Sequence, residues 1–210
     1  MAVTKGHGLD AVRAALAVGL TDIGENYSAE LLAKAASLAG SPEAGSPEAG
    51  SPEAGSPEAG TPRWHYLGAV QRNKVGRLAP VVSCWQSVSR PQEAVAIGRH
   101  PGAREVFVEI DVSGEPTRGG CAPGEAATVV EAARAAGCVV RGLMTVAPLS
   151  SEAGSEATAS HAFATVAGLA ETLGLGELSM GMSHDLEQAV AAGSTMVRIG
   201  TALFGERPAR

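Results

Sequence analysis

Short apolar runs alternate with helix-length amphipathic segments along almost the whole chain, and this alternation restricts the fold more than any other property of the sequence. Strand signals fall at residues 2–4, 21–23, 64–67, 84–88, 106–111, 139–144, 177–179 and 196–199. Helical spacing fills the intervals at 9–18, 27–38, 73–78, 91–97, 122–136, 158–173 and 185–192, and a short piece after residue 200 completes an eighth unit. Alternation of this kind predicts parallel strands joined by right-handed crossovers. Eight units fit a closed (β/α)8 TIM barrel of the α/β class better than an open sheet. The doubly wound open sheet stays in play at this level, because periodicity does not report closure.

One segment breaks the pattern. Residues 41–60 are Ser-Pro-Glu-Ala-Gly written four times, followed by Thr61-Pro62. Each unit holds a proline and a glycine and has no apolar face, so a disordered surface insert within a single domain, 1–210, is expected. Residues 151–160 read as a milder polar loop. With 45% hydrophobic but only 3% aromatic residues, Ala, Val, Leu and Gly must fill the one core. The net charge of -6 speaks against nucleic acid and anionic membranes as partners. No apolar run approaches 18 residues, and no signal peptide precedes the first strand, so a cytoplasmic protein is expected. Cys84, Cys121 and Cys138 are widely spaced and fit a reducing compartment better than a disulfide framework. The five histidines lack metal-ligand spacing, so no metal site is expected.

In a barrel the chemistry gathers at the C-terminal ends of the strands, with phosphate commonly near strands seven and eight. Polar residues fall at those ends: Lys5, Asn26, His65 with Gln71, Asn73 and Lys74 after it, Asp111, Thr145, 179–183 and 198–201. A lysine at a strand tip can form a Schiff base, and a Gly200-Thr201 turn beside Arg198 can hold a phosphate. Together these suggest pyridoxal 5′-phosphate (PLP). Each also has a plainer account: Lys5 as a solvated charge, Asn26 as a helix cap, Gly200-Thr201 as an ordinary turn. Arg198 is harder to dismiss, because an arginine in a strand between Val197 and Ile199 needs a buried partner or a ligand. From the residues alone the reading ends at a phosphate-binding barrel with a candidate Schiff-base lysine, and an aldolase acting on a sugar phosphate through Lys5 belongs to the same reading.

The wording of the segments goes further. Ala2-Val-Thr-Lys5, Ile23-Gly-Glu-Asn-Tyr27 with Glu30, Trp64-His-Tyr-Leu-Gly68 with Gln71 and Lys74, Gly142-Leu-Met-Thr145, Leu178-Ser-Met-Gly-Met-Ser183 with Asp185, and Gly193-Ser-Thr-Met-Val-Arg-Ile-Gly-Thr201 with Phe204-Gly205 occur in order. This set resembles the pyridoxal phosphate homeostasis protein family, stand-alone relatives of the alanine racemase N-terminal barrel, PLP fold type III. The resemblance implies that Lys5 forms the Schiff base and that Asn26 lies near the ring. It implies that Ser183, Gly200 and Thr201 hold the phosphate, that Arg198 faces the pyridine nitrogen and that Met182 packs under the ring. It also brings His65 into the cofactor-binding set.

Departures from the family pattern qualify this. The first strand begins almost at Met1, so a truncated N-terminus, or a start placed too late, is expected. Ala29 replaces a common glutamine, and Glu109-Ile-Asp111 replaces Gln-Val-Asn, which adds a carboxylate near the barrel mouth. Tyr27 and Tyr66 are the only tyrosines, and neither is placed to act as a racemase base. The expected function is therefore that of a monomeric PLP-binding regulator without catalytic turnover, which buffers the cofactor or delivers it to PLP-dependent apoenzymes. The rival is a PLP-dependent enzyme with weak amino-acid racemase activity.

Overall fold

The computed structural model describes residues 1–40, 60–102, 104–113, 118–148 and 155–207, without the side chains of 155–157. The expected disordered insert lies outside the described residues apart from Gly60, as do residues 151–154 of the second polar loop. The strands are β1 (Ala2–Val3), β2 (Asp22–Glu25), β3 (Arg63–Tyr66), β4 (Cys84–Val88), β5 (Glu105–Ile110), β6 (Val139–Thr145) and β7 (Glu177–Ser179). Between and after them come α1 (Leu9–Ala17), α2 (Ser28–Ala39), α3 (Arg72–Leu78), α4 (Pro91–Gly98), α5 (Ala126–Ala135), α6 (Ser155–Thr172), α7 (Leu186–Ala191) and α8 (Thr201–Phe204).

All seven strands are parallel and pair in sequence order, β1 to β7. Such strands are covered on both faces, so their sequences run apolar without alternation. In β4 all five residues are buried, polar Gln86 and Ser87 included. The helices supply the outer cover with stripes at helical spacing. Val12, Ala15 and Leu16 are the buried face of α1, and Ala126, Val129, Val130 and Ala133 that of α5. Small residues let these helices lie close to the sheet, so the core closes with few aromatics. At α4 the start is enforced twice: Pro91 sits in the first turn, and the Glu93 carboxylate accepts from the backbone N–H groups of Ser89 (2.8 Å) and Arg90 (3.1 Å).

The expected strand at 196–199 is not a regular strand. It makes isolated parallel bridges, Ser179 with Met196 and Ala2 with Ile199. The N–H groups of Met180 and Val3 donate to the carbonyls of Met196 (3.1 Å) and Ile199 (2.8 Å). The segment thus lies between β7 and β1 and bonds to both, but its pairing is broken where Arg198 N–H turns aside to the Gly181 carbonyl (2.9 Å). Two further boundaries differ from expectation. Helix α6 begins at Ser155, three residues ahead of the helix start expected at 158 and within the stretch read as loop; the helix expected at 122–136 opens as a 3-10 turn, Pro123–Glu125, before α5. Proline at that start cannot donate to a preceding carbonyl, which suits a tight first turn.

Candidate functional site

At the C-terminal ends of the strands lies a cavity of about 410 Å³. It is lined from β1 by Lys5 and His7, from β2 by Asn26, and from β5 by Glu109 and Asp111. Met182, Ser183 and His184 follow β7, and Arg198, Gly200 and Thr201 close the ring of contributors. Of the eight residues expected to bind the cofactor, Lys5, Asn26, His65, Met182, Ser183, Arg198, Gly200 and Thr201, seven therefore share one space. His65 is the exception.

His65 is fully buried on β3 but does not line the cavity. Its Nε2 lies 2.8 Å from Asp22 Oδ1, and the Gln86 amide donates to its Nδ1 at 3.0 Å. These partners place the ring proton on Nε2, where it donates to Asp22, and burial lowers the pKa of the ring. Residues two apart on a strand share a face, so Leu67, just beyond β3, stands on the side of His65 but nearer the C-terminal end, and it is the one that lines the cavity. Gln71 and Asn73 are exposed, and neither they nor Lys74 line the cavity.

Lys5 stands just past β1, where the chain must turn sharply into the loop before α1. Gly6 takes the turn at φ 78°, and a Cβ there would lie 2.9 Å from Arg207 Cδ. His7 then packs its ring against Phe204 of α8, centroids 5.5 Å apart, which ties the lysine loop to the far end of the chain. Burial, followed by the charges of Arg207 and Arg198, lowers the Lys5 pKa, while Glu25 opposes them. A lowered pKa increases the neutral amine, the form that attacks a carbonyl.

Arg198 is buried and answers the need recognised in its sequence. One guanidinium nitrogen donates to the Ser179 carbonyl and hydroxyl, the latter at 3.0 Å, and the other donates to the Thr145 carbonyl at 2.7 Å. Burial lowers its pKa to about 10, so the group is still a cation at neutral pH. Gly200 follows, and its ideal Cβ would sit 3.0 Å from the Val3 carbonyl oxygen, so a larger residue would push the segment off β1. Ser183 Oγ accepts from the Ala202 N–H at 3.3 Å, bringing hydroxyl and helix start together. Behind them the Asp185 carboxylate holds the Met182 N–H at 2.5 Å.

The cavity also contains groups the sequence did not single out: His7, Arg118, His184 and Arg207. The most informative is Glu109, noted at the outset only as a departure from a motif. Burial raises its pKa to about 7, against the pull of Arg198. Its carboxylate opens toward Gly119, whose ideal Cβ would be 3.0 Å from Oε1. Asp111 is held differently, with Oδ1 accepting from the Ser113 N–H (2.8 Å) and hydroxyl (2.7 Å). Neither tyrosine and none of the three cysteines lines the cavity. Tyr66 is buried edge-on against Trp85, centroids 5.8 Å apart.

A parallel β/α barrel-like sheet with a lysine at the tip of its first strand and Ser183, Gly200 and Thr201 lining the same cavity after its seventh defines the class. The chain belongs to the alanine racemase N-terminal domain family, whose model matches residues 1–208, and within it to the pyridoxal phosphate homeostasis proteins. The protein of that name from Pseudomonas aeruginosa is 38% identical over 215 residues, covering 99% of this chain and 84% of the relative. The one from Deinococcus radiodurans is 38% identical over 208 residues, covering 97% and 87%. Among solved structures, PipY of Synechococcus elongatus without PLP is 31% identical with a TM-score of 0.76, covering 97% of this chain and 91% of that one. PipY with PLP bound gives a TM-score of 0.71 at 31% identity, covering 98% and 91%. Alanine racemase from Corynebacterium glutamicum, 20% identical with a TM-score of 0.65, covers all of this chain and 56% of its own, and shares the TIM-like barrel fold. Among the described residues no helix is long and apolar enough to cross a membrane.

Proposed function

We propose that this chain is a pyridoxal 5′-phosphate-binding protein that holds the cofactor on Lys5 as a Schiff base and takes part in its intracellular homeostasis. One observation carries the reading: an amine of lowered pKa opens into the same cavity as Arg198, Ser183, Gly200 and Thr201. The residues fit the cofactor. The cavity, about 410 Å³, is large enough for one small heteroaromatic phosphate, and Arg198, Ser183, Gly200 and Thr201 line it together with Lys5. When bound, PLP supplies an aldehyde that condenses with a primary amine.

Lys5 provides that amine, and its partial burial favours the neutral form of the nitrogen. Ser183 and the backbone of Gly200 and Thr201 hold the phosphate by hydrogen bonds. Asn26 and Met182, which line the same cavity, would contact the ring. Arg198, anchored by Ser179 and Thr145, would face the pyridine nitrogen as a cation with no proton-accepting capacity and so would disfavour its protonation. An unprotonated pyridine is a weak electron sink, which suits storage better than turnover. In the same reading segment 196–199 closes the barrel as its eighth member, and the protein works as a cytoplasmic monomer that passes PLP to apoenzymes.

Absorbance of the purified protein, followed by borohydride reduction and peptide mapping, tests this. The expected result is a pyridoxyl group on Lys5. Its appearance on Lys34 or Lys74 would overturn the assignment.

Glu109 favours a second reading, weak amino-acid racemase activity, because a carboxyl titrating near neutrality in the cavity is the second acid–base group that inversion demands. Incubation with L-alanine in deuterated water separates the two. Exchange of the α-proton at about 1 per second or faster, lost in Lys5→Ala, would establish the enzyme. No exchange above the uncatalysed rate supports the carrier.

A further inference from the structure

Beneath Lys5, on the side away from the cavity, lies a second lysine. Lys34 stands on α2 in Leu31-Leu-Ala-Lys34, where a helix surface pattern reads as a solvated charge, yet it is only 6% exposed. Its ammonium donates to the Thr4 carbonyl (2.8 Å), to Glu25 Oε1 (2.6 Å) and to Glu30 Oε1 (2.8 Å). All three protons are used. Glu25 Oε1 also accepts the Thr4 hydroxyl at 2.5 Å, and Glu30 Oε1 accepts the Gly6 N–H at 2.8 Å.

The network therefore grips the residue before Lys5 by its carbonyl and hydroxyl, and the residue after it by its N–H. Nothing in it touches the Lys5 side chain, which is left to the cavity. As a device for stability alone this is a poor choice, since a buried ion pair replaced by apolar side chains of like volume is commonly neutral or stabilising. Glu25 shows the cost directly: its Oε2 is buried without a hydrogen-bond partner, and burial raises its pKa. What the arrangement does achieve is a fixed direction for the Lys5 Cα–Cβ bond.

We infer that Lys34, with Glu25 and Glu30, is a positioning residue for Lys5: it clamps the backbone on both sides so that the Lys5 amine points into the cavity, and it offsets the two carboxylates beneath that amine. This rests on Lys5 being the lysine that takes the aldehyde. Without Lys34, Glu25 and Glu30 would leave their negative charge uncompensated below Lys5 and favour its ammonium form. The turn through Gly6 would also lose the hydrogen bonds that hold it to α2.

The test measures Lys5 without any cofactor. Competitive acylation with a small amine-reactive reagent, read by peptide mass mapping across a pH series, gives the rate and titration midpoint of the Lys5 amine. Hydrogen exchange reports the amides of residues 4–7. In Lys34→Met the Lys5 midpoint should rise and its acylation near pH 8 should slow about tenfold, the scale of one lost charge-assisted hydrogen bond. Exchange at Gly6 should quicken by a similar factor. Lys34→Arg, which keeps the charge, should restore the midpoint.

Should Lys34→Met fail to fold, Glu30→Ala removes a partly buried side chain that accepts the Gly6 N–H and one of the three Lys34 hydrogen bonds, and it should still quicken Gly6 exchange and slow PLP uptake. Folded variants with wild-type Lys5 acylation, midpoint and Gly6 exchange would overturn the inference, whatever their melting temperatures. Borohydride mapping of the wild type is the separate control. A pyridoxyl group found away from Lys5 removes the underlying reading, whereas one on Lys5 with unaltered variants removes only the clamp.

Discussion

The two ends of the barrel interior use the same residue types in opposite ways. At the floor, near the N-terminal ends of the strands, Arg63 pairs with Asp22 (3.2 Å) and Glu105, while His65 sits between Asp22 and Gln86. Arg141 meets Glu177 there at 2.5 Å. Each charge has an opposite. At the mouth, Lys5, Glu109 and Arg198 share a cavity, and their pKa values move toward neutrality under burial. Polar groups that satisfy one another hold a structure together, whereas polar groups left facing an open volume are available to something else. A histidine on the right strand but at the wrong depth belongs to the first kind.

The sharpest way to break this comparison is Lys5→Ala. It should abolish the covalent PLP signal completely while leaving thermal stability nearly unchanged, as absorbance and calorimetry on the same sample will show. A protein that lost stability but kept bound PLP would reverse the roles of mouth and floor.

Glu109→Gln comes next. Its carboxyl has a pKa of about 7 in the fold against an ordinary 4.5, so the folded state binds the proton more tightly than the unfolded chain. Stability is therefore highest below about pH 4.5, falls as pH rises to about 7 and levels off above, a loss on the order of 3 kcal/mol for this group. Glutamine removes the titration, so the variant should be the more stable protein above pH 7, with a flatter profile through that window. Denaturant melts at pH 5 and pH 8 check the sign.

At the floor, His65→Ala should cost about 1–3 kcal/mol by unpairing the Gln86 amide and leaving Asp22 with Arg63 alone, with PLP content unchanged. Denaturation midpoints and cofactor absorbance measured together decide whether His65 belongs with the floor or the cavity. The smallest effect is expected from Asn73→Ala, an exposed residue that lines neither region: stability within about 0.5 kcal/mol and normal PLP uptake.

Most of the architecture was legible because parallel β/α units leave a double signature, a continuous apolar run and then a helical stripe. Strands β4 and β7 lie where the pattern places them, at 84–88 and 177–179. Segment 196–199 reads equally well as a strand, yet its pairing is interrupted at Arg198, because ladder geometry depends on neighbours that no local window contains. The site divides likewise. Lys5, Ser183 and Gly200-Thr201 could be found because strand-end position and residue chemistry coincide. Glu109 was visible only as a changed letter, and Lys34 not at all, since burial of a charged residue depends on what packs over it.

By itself, then, the order of residues determined the parallel β/α architecture and the collection of reactive groups at one end, since both follow from spacing measured along the chain. Only the tertiary structure decided which of those groups face a cavity, which face one another, and how far each is removed from water. Depth and pairing are properties of distance through space, and they set both the cost of a charge and its chemistry.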